Sequence, residues 1–419
     1  MRIAKLTTEA VERLESGRRR RDRAAERAAA RIVADVARRG DRAVAAWAAK
    51  LDGARMAPGR FRVPAEELEE CRKRAPAALV RAIGKAAANI RRVAERQIPR
   101  PWSIEVTPGV HLAQMYRPLD RVGCYVPGGR FPLISTLLMT VIPAQVAGVK
   151  EIVVACPRPS PELLAAAHLV GVDSVLRVGG AQAIAALAYG TRTIDRVDKI
   201  CGPGNRFVTA AKRLVSADCA IDLPAGPTEL LVVAERGNPA YIAADLLAQA
   251  EHDPDAVSLL VTPSAALARS VLAELKKQLA ALPPGSPARE SLERSGPIFL
   301  APSFDAALEF ANHFAAEHLS LPDASVAGGG IERIRAAGSI FLGPWSAQPA
   351  GDYATGSNHV LPTAGWARAR GGLSAVDFLR PISVQNVSRA GIENLGETVT
   401  TLARCEGLEA HARAIEVRR

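Results

Sequence analysis

The sequence predicts an α/β protein with two parallel, Rossmann-like sheets, a small helical N-terminal arm and a helical C-terminal domain. Three observations carry this reading. Short apolar runs alternate with longer amphipathic segments from about residue 119. A second series of the same kind starts near residue 230, and the first hundred residues carry helical rather than strand periodicity.

In the N-terminal region, Ala24–Ala37 is rich in helix formers, and Ala43, Val44, Trp47 and Leu51 recur at helical spacing. Ile98-Pro99-Arg100-Pro101 ends this region. The first series then reads as strand Arg121–Val126, helix Leu133–Ala147, strand Glu151–Cys156, helix Pro161–Val170, strand Ser174–Val178, helix Ala181–Ala188, strand Val197–Cys201 and helix Asn205–Val215. The second reads as strand Leu230–Ala234, helix Pro239–His252, strand Val257–Thr262 and helix Ala265–Leu282, with strands Pro297–Ala301, Glu317–Leu321 and Ser339–Leu342 completing its sheet. Leu282-Pro283-Pro284-Gly285-Ser286-Pro287 is a surface turn within that series. After Gly371-Gly372-Leu373-Ser374 the chain reads as helical to its end.

Composition narrows the classes. With 419 residues, 48% of them hydrophobic, the chain exceeds one ordinary core and suits two or more domains. No apolar run reaches the roughly 18 to 20 residues that span a bilayer, so no membrane association is expected. The N-terminus, Met1-Arg2-Ile3-Ala4-Lys5-Leu6, lacks the apolar stretch of a secretory signal. Six cysteines without a C-x-x-C spacing point to the reducing cytoplasm and to neither disulfides nor a thiolate metal site. Cys124 and Cys201 border glycine turns, where a small apolar role is the expectation over a nucleophilic one. The net charge of +11 belongs to one segment: residues 1–100 hold 26 Lys and Arg against 13 Asp and Glu, and the remainder 28 against 30. The run around Arg18, Arg19, Arg20, Arg21, Arg23, Arg27 and Arg31 is a nucleic-acid arm or a solvated helix face. Interleaved Glu12, Glu15, Asp22, Glu26 and Asp35, and the lack of aromatics for stacking, favour the solvated face and no nucleic acid.

Several residues carry chemistry. Gln249 and His252, three apart on an expected helix, share a face that presents two ligands to one metal, or else they are surface residues at a helix end. Asp352 lies in a Gly- and Thr-rich loop with His359 nearby, where an Asp commonly bonds its own backbone. His411 sits in the last helix as a partly buried structural residue on its face value. Glu317-His318 is a candidate acid–base pair, but successive strand residues face opposite ways, so one site needs a bend there. No G-x-G-x-x-G or Walker motif is present. Instead, Tyr125-Val126-Pro127-Gly128-Gly129, Val178-Gly179-Gly180-Ala181-Gln182 and Cys201-Gly202-Pro203-Gly204-Asn205 follow three strands; they are phosphate cradles or tight βα turns.

Read jointly, these blocks resemble the zinc-dependent histidinol dehydrogenases. The resemblance rests on Tyr125–Arg130, Cys201–Asn205, Asp222-Leu223-Pro224-Ala225-Gly226-Pro227-Thr228-Glu229, Ala244–His252, Ala316-Glu317-His318-Leu319, Gly351–Thr363, Gly372-Leu373-Ser374 with Asp377-Phe378, and Glu406–His411, in that order. It implies Zn2+, one per subunit, on Gln249, His252, Asp352 and His411. It implies NAD at Tyr125, Gln182 and Asn205. Substrate binding would fall to Thr228, His318, His359 and Glu406 together with the metal residues. In a homodimer, His411 and Glu406 would complete the partner's site. The implied reaction takes L-histidinol through L-histidinaldehyde to L-histidine with two NAD reduced, His318 as general base and Glu317 as activator of water. Residues 1–22 would be the arm, 23–124 with 230–373 one α/β domain, 125–229 the other, on the NAD side, and 374–419 the dimer-contacting domain. Thr228, Phe207 and Ala315-Ala316 depart from the family's common Ser, Tyr and Ala-Pro. Two rivals stand beside it: a related zinc and NAD dehydrogenase for another small alcohol, and a metallohydrolase using Glu317, against which the lack of H-E-x-x-H speaks.

Overall fold

A computed structural model of the chain describes residues 1–18, 22–128, 133–172, 174–223, 226–323 and 331–419. Arg19, Arg20 and Arg21 of the basic run, and Gly129, Arg130, Pro224 and Ala225 of the motif blocks, lie outside the described residues.

The N-terminal arm is not purely helical. It opens with a strand, β1 (Ile3–Lys5), followed by α1 (Thr8–Arg18). Four helices come next: α2 (Arg23–Arg39), α3 (Asp41–Leu51), α4 (Ala65–Arg74) and α5 (Ala77–Gln97). Asp22 starts α2 by accepting the Ala24 and Ala25 N–H groups, and Ala25, Ala29, Ile32, Val33 and Val36 form its buried stripe. Then come β2 (Trp102–Thr107) and β3 (Val110–Pro118), a hairpin that apolar patterning did not announce because β2 stands largely in solvent and β3 is mostly half-buried without a buried stripe.

The first βα series runs β4 (Arg121–Tyr125), α6 (Ile134–Ala147), β5 (Glu151–Ala155), α7 (Pro161–Leu169), β6 (Ser174–Leu176), α8 (Gly180–Tyr189), β7 (Lys199–Cys201), α9 (Arg206–Val215) and β8 (Ala220–Ile221). Its five strands are parallel in the order β6-β5-β4-β7-β8. Helices α2, α3, α8 and α9 cover one face, while α4, α5, α6 and α7 cover the other. Residues 23–97 therefore pack on this sheet, not on the second one, and a boundary after residue 124 would cut β4.

The second series runs β9 (Glu229–Val233), α10 (Pro239–Ala250), β10 (Val257–Thr262), α11 (Ala265–Ala280), α12 (Ala288–Ser295), β11 (Ile298–Leu300), α13 (Phe304–Phe314), β12 (His318–Leu321), β13 (Ser339–Leu342) and α14 (Gln348–Tyr353). The strands are parallel in the order β1-β11-β10-β9-β12-β13, β1 joining as the edge through Ile3 opposite Ile298. Apart from β1, both sheets have the same order: the first strand of each series lies between its second and fourth. The order thus reverses between β4 and β7 in one sheet and between β9 and β12 in the other.

The C-terminal segment is not all helix. A nine-residue strand, β14 (Leu379–Val387), pairs antiparallel with β3, and α15 (Arg389–Cys405) and α16 (Glu409–Glu416) follow. Strands β14, β3 and β2 make a third, antiparallel sheet. No helix of the described residues is long and apolar enough to cross a membrane.

Candidate active and metal site

The cluster forms where α10 returns to the starts of β9 and β12. A helix after a parallel strand runs back along it, so the C-terminal end of α10 comes near the amino ends of the strands. Gln249 occupies the last turn of α10. His252 lies two residues past the helix, so the pair does not share one continuous helical face as the spacing suggested; its side chain is 40% exposed. Asp352 is not in a loop but on α14, a short helix with Pro349 in its first turn, and it is buried.

The bend that Glu317 and His318 need is present. Helix α13 stops at Ala315, which adopts the left-handed conformation (φ 49°), and the strand begins only at His318. Both side chains reach the first residues of β9. Glu317 Oε2 accepts the Thr228 hydroxyl at 2.5 Å and the Glu229 N–H at 2.7 Å. His318 Nδ1 lies 3.0 Å from the Glu229 carbonyl. A carbonyl only accepts, so Nδ1 carries the proton and Nε2 keeps its lone pair. That Nε2 is buried without a hydrogen-bond partner, 3.7 Å from Asp352 Oδ1.

The same logic orients Gln249. The Thr228 hydroxyl donates to Glu317, so its oxygen accepts from Gln249 Nε2, at 2.6 Å. The amide is thereby turned with Oε1 away from Thr228, and this buried oxygen has no partner. His252 Nε2 lies 3.9 Å from Asp352 Oδ2, which also accepts from Gln348 Nε2 at 2.6 Å. The partnerless Gln249 amide oxygen, and the His252 imidazole facing the Asp352 carboxylate, are the hard and borderline donors that zinc takes. In donor chemistry these residues suit a zinc ion, and among the described residues no three His, Cys, Asp or Glu side chains group as a complete metal site.

Burial governs the titration here. It pushes the Glu317 carboxyl well above the usual carboxylate range, against the opposing bonds from Thr228 and Glu229. It holds the His318 imidazole down to about 4, so this ring is neutral near pH 7. Burial also lowers His359, whose Nδ1 faces the Asp352 carbonyl at 3.1 Å and whose Nε2 meets Thr136 of α6 at 3.3 Å. Asn358 donates to the Met139 carbonyl of α6 at 2.7 Å. The segment after Asp352 thus closes the site against the other sheet.

Tyr125, Gln182 and Asn205 group elsewhere, at the carboxyl ends of β4, β6 and β7. Tyr125 ends β4 and its hydroxyl accepts the Gly180 N–H at 3.1 Å. Gln182 is fully buried, donates to Asp52 at 3.0 Å, and leaves its Oε1 without a partner. Asn205 caps α9 by accepting the Phe207 and Val208 N–H groups. Their place is the reversal point between β4 and β7, where open α/β sheets bind nucleotides. The Gly202 turn is held by a buried pair: Asp222 accepts the Gly202 N–H at 2.7 Å, and Lys212 contacts both Asp222 and the Gly202 carbonyl. Burial pushes the Cys124 thiol up to about 12 and Cys201 well above its ordinary range, so both stay protonated, as an apolar role requires.

Glu406 and His411 are on neither cluster's elements. Glu406 caps the C-terminus of α15 and His411 lies on α16, both exposed. Four participants escaped sequence reasoning. Gln348 sits one helical turn before Asp352, a signal hidden by reading that stretch as loop. Thr136 carried none. Glu229 closed a motif block without being singled out. Arg18 passed for part of a solvated face, yet its side chain is 6% exposed and ion-paired to Glu229; Arg23, Arg27 and Arg31 are exposed as expected.

Comparison with known proteins adds the family context. A family model described as histidinol dehydrogenase matches residues 16–419. A histidinol dehydrogenase of Methanothermobacter thermautotrophicus is 47% identical over 398 residues, 92% of each chain. One of Vibrio parahaemolyticus is 44% identical over 396 residues, covering 93% of this chain and 91% of its own. The crystal structure of histidinol dehydrogenase from Elizabethkingia anophelis matches with a TM-score of 0.93 at 36% identity, over 100% of this chain and 98% of that one.

Proposed function

The chain belongs to the histidinol dehydrogenase family, and on that premise we propose that it oxidises L-histidinol to L-histidine through L-histidinaldehyde, with two NAD reduced, as the last steps of histidine biosynthesis in the cytoplasm. The observation that supports this is the run of contacts Gln249–Thr228–Glu317–His318–Asp352–His252, which links the residues proposed as metal ligands to the proposed acid–base pair. Gln249, His252 and Asp352 hold Zn2+, one per subunit, and His411 of a second copy completes the set. When bound, zinc supplies a fixed positive charge that orients the substrate imidazole and amine, and NAD accepts a hydride at each oxidation.

This chain's residues do the rest. His318 Nε2, neutral and partnerless, takes the hydroxyl proton as the carbinol hydride departs, leaving the aldehyde. Glu317 then removes a proton from water as its oxygen adds to the aldehyde carbon, while the protonated His318 returns its proton to the carbonyl oxygen, giving the hydrate and a neutral imidazole again. A second hydride departs from that hydrate as His318 takes one hydroxyl proton, and the carboxylic acid so formed loses its remaining proton to solvent as the carboxylate. The segment Asp352–Thr363, pinned to α6 by Asn358 and His359, keeps the aldehyde from leaving between the steps. Tyr125, Gln182 and Asn205 hold NAD at the other sheet's reversal point, in a Rossmann-like arrangement that uses three separate glycine turns.

The homodimer has its own support. Trp102 and Ile104 stand exposed on one face of the antiparallel sheet, Ile382 and Val384 on the other, and Leu402, Leu408 and Val417 are exposed on and beside α15 and α16. A sheet apolar on both faces needs a cover, and a second copy provides one.

The test is NAD reduction with L-histidinol and a panel of amino and sugar alcohols. Two NADH and one L-histidine per L-histidinol are expected; turnover of only another alcohol would move the chain to a related zinc dehydrogenase. Zinc removal should abolish turnover while NAD binding, followed by fluorescence or calorimetry, persists. Joint loss would refute a zinc role confined to the substrate.

A further inference from the structure

We propose that Arg18, acting through Glu229, is a positioning residue for the Glu317–His318 pair; this rests on the functional reading above. Arg18 ends α1, far from the site in sequence, and its guanidinium is fixed on every side. Nε and Nη2 fork onto the two Glu229 carboxylate oxygens at 2.7 and 2.6 Å. Nη1 donates to the Phe314 carbonyl at 2.9 Å, and the guanidinium carbon sits 3.5 Å from the centre of the Phe314 ring.

Those two partners belong to the two segments that present the catalytic pair. Phe314 is the last residue of α13, immediately before the left-handed Ala315 turn into Glu317 and His318. Glu229 is the first residue of β9, and its own peptide groups touch both catalytic side chains: its N–H donates to Glu317 and its carbonyl accepts from His318. Glu229 also takes the Ala364 N–H at 3.1 Å, tying in the segment beyond His359. One planar fork therefore sets the distance between the strand that holds the pair and the turn that delivers it.

A purely structural brace has no need of this chemistry. A buried ion pair gains little over an apolar contact of the same volume, because both charges lose their hydration. What the guanidinium gives that an apolar side chain does not is direction: three hydrogen bonds in a plane, shared between two backbones. Tenths of an ångström in such an alignment are felt in the reacting step more than in substrate binding.

The experiment compares the full-length, zinc-loaded wild type with Arg18→Met, Arg18→Lys and Glu229→Gln, using Arg13→Ala on the exposed side of α1 as control. Rates are expressed per folded, zinc-containing site, with L-histidinol and NAD varied separately. For Arg18→Met, kcat should fall by about 10- to 100-fold while both KM values stay within about twofold. Arg18→Lys, which keeps the charge but not the fork, should recover only part of that loss, and Glu229→Gln should resemble Arg18→Met. Should Arg18→Met not fold, the Lys and Gln variants decide on the same criterion. Unchanged kcat per loaded site, or kcat fully restored by Lys, would overturn the positioning role. A wild type idle on L-histidinol would instead overturn the functional reading, and this inference with it.

Discussion

At the residue scale, hydrogen-bond direction does more than proximity. Thr228 has one proton and lone pairs, and the structure spends the proton on Glu317 and a lone pair on Gln249. Its hydroxyl therefore decides which atom of the Gln249 amide is left free, so the proposed metal ligand would be oriented by a residue that need not touch the metal. Ser keeps this hydroxyl, so Thr228→Ser should keep zinc affinity within a few-fold. Thr228→Val keeps the shape and removes both bonds. It should weaken zinc binding by about 10- to 100-fold, measured by chelator competition; unchanged affinity would show that the amide is oriented some other way.

At the element scale, the two candidate clusters lie at opposite ends of sheets with the same strand order. Tyr125, Gln182 and Asn205 lie at the carboxyl ends of their strands, the usual place for a nucleotide. Glu229 and His318 are the first residues of their strands, reached by the far end of α10. The carboxyl-end turns demand glycine where backbones approach. A Cβ on Gly202 (φ +110°) would meet the Tyr125 carbonyl oxygen at 2.1 Å, so the ends of β4 and β7 must part to admit it. Gly202→Ala should raise KM for NAD at least several-fold and lower the unfolding midpoint, with zinc content retained. Loss of zinc alongside NAD binding would show that the two ends are not independent.

At the scale of the whole molecule, the proposed function has a second copy complete the site. His411 and Glu406 are exposed on α15–α16, and the adjoining antiparallel sheet shows apolar residues on both faces. Subunit complementation checks this. His318→Asn and His411→Ala homodimers should each be almost inactive. Refolded together in equal amounts, they should recover roughly a quarter of wild-type activity, because half of the dimers are mixed and each mixed dimer has one intact site of two. No recovery would place His411 in its own subunit's site or outside any site.

Periodicity alone determined the two α/β series, the helical region before them and the approximate bounds of most elements, because buried parallel strands and amphipathic helices write their packing into apolar spacing. The residue blocks determined the family and the residues worth watching. Where those residues lie was beyond local pattern. Strands β2 and β14 face solvent, β3 is mostly half-buried, and none carries a buried stripe to betray it. That residues 23–97 cover the first sheet, and that β1 edges the second, follows from long-range pairing. Glu317 and His318 converge because a left-handed alanine delays the strand, and Gln249 is oriented because Thr228 has one proton to give. Arg18 shows the difference most clearly. Arg23, Arg27 and Arg31 of the same basic run are exposed, and only the tertiary structure brings Glu229 and Phe314 close enough to bury the Arg18 charge.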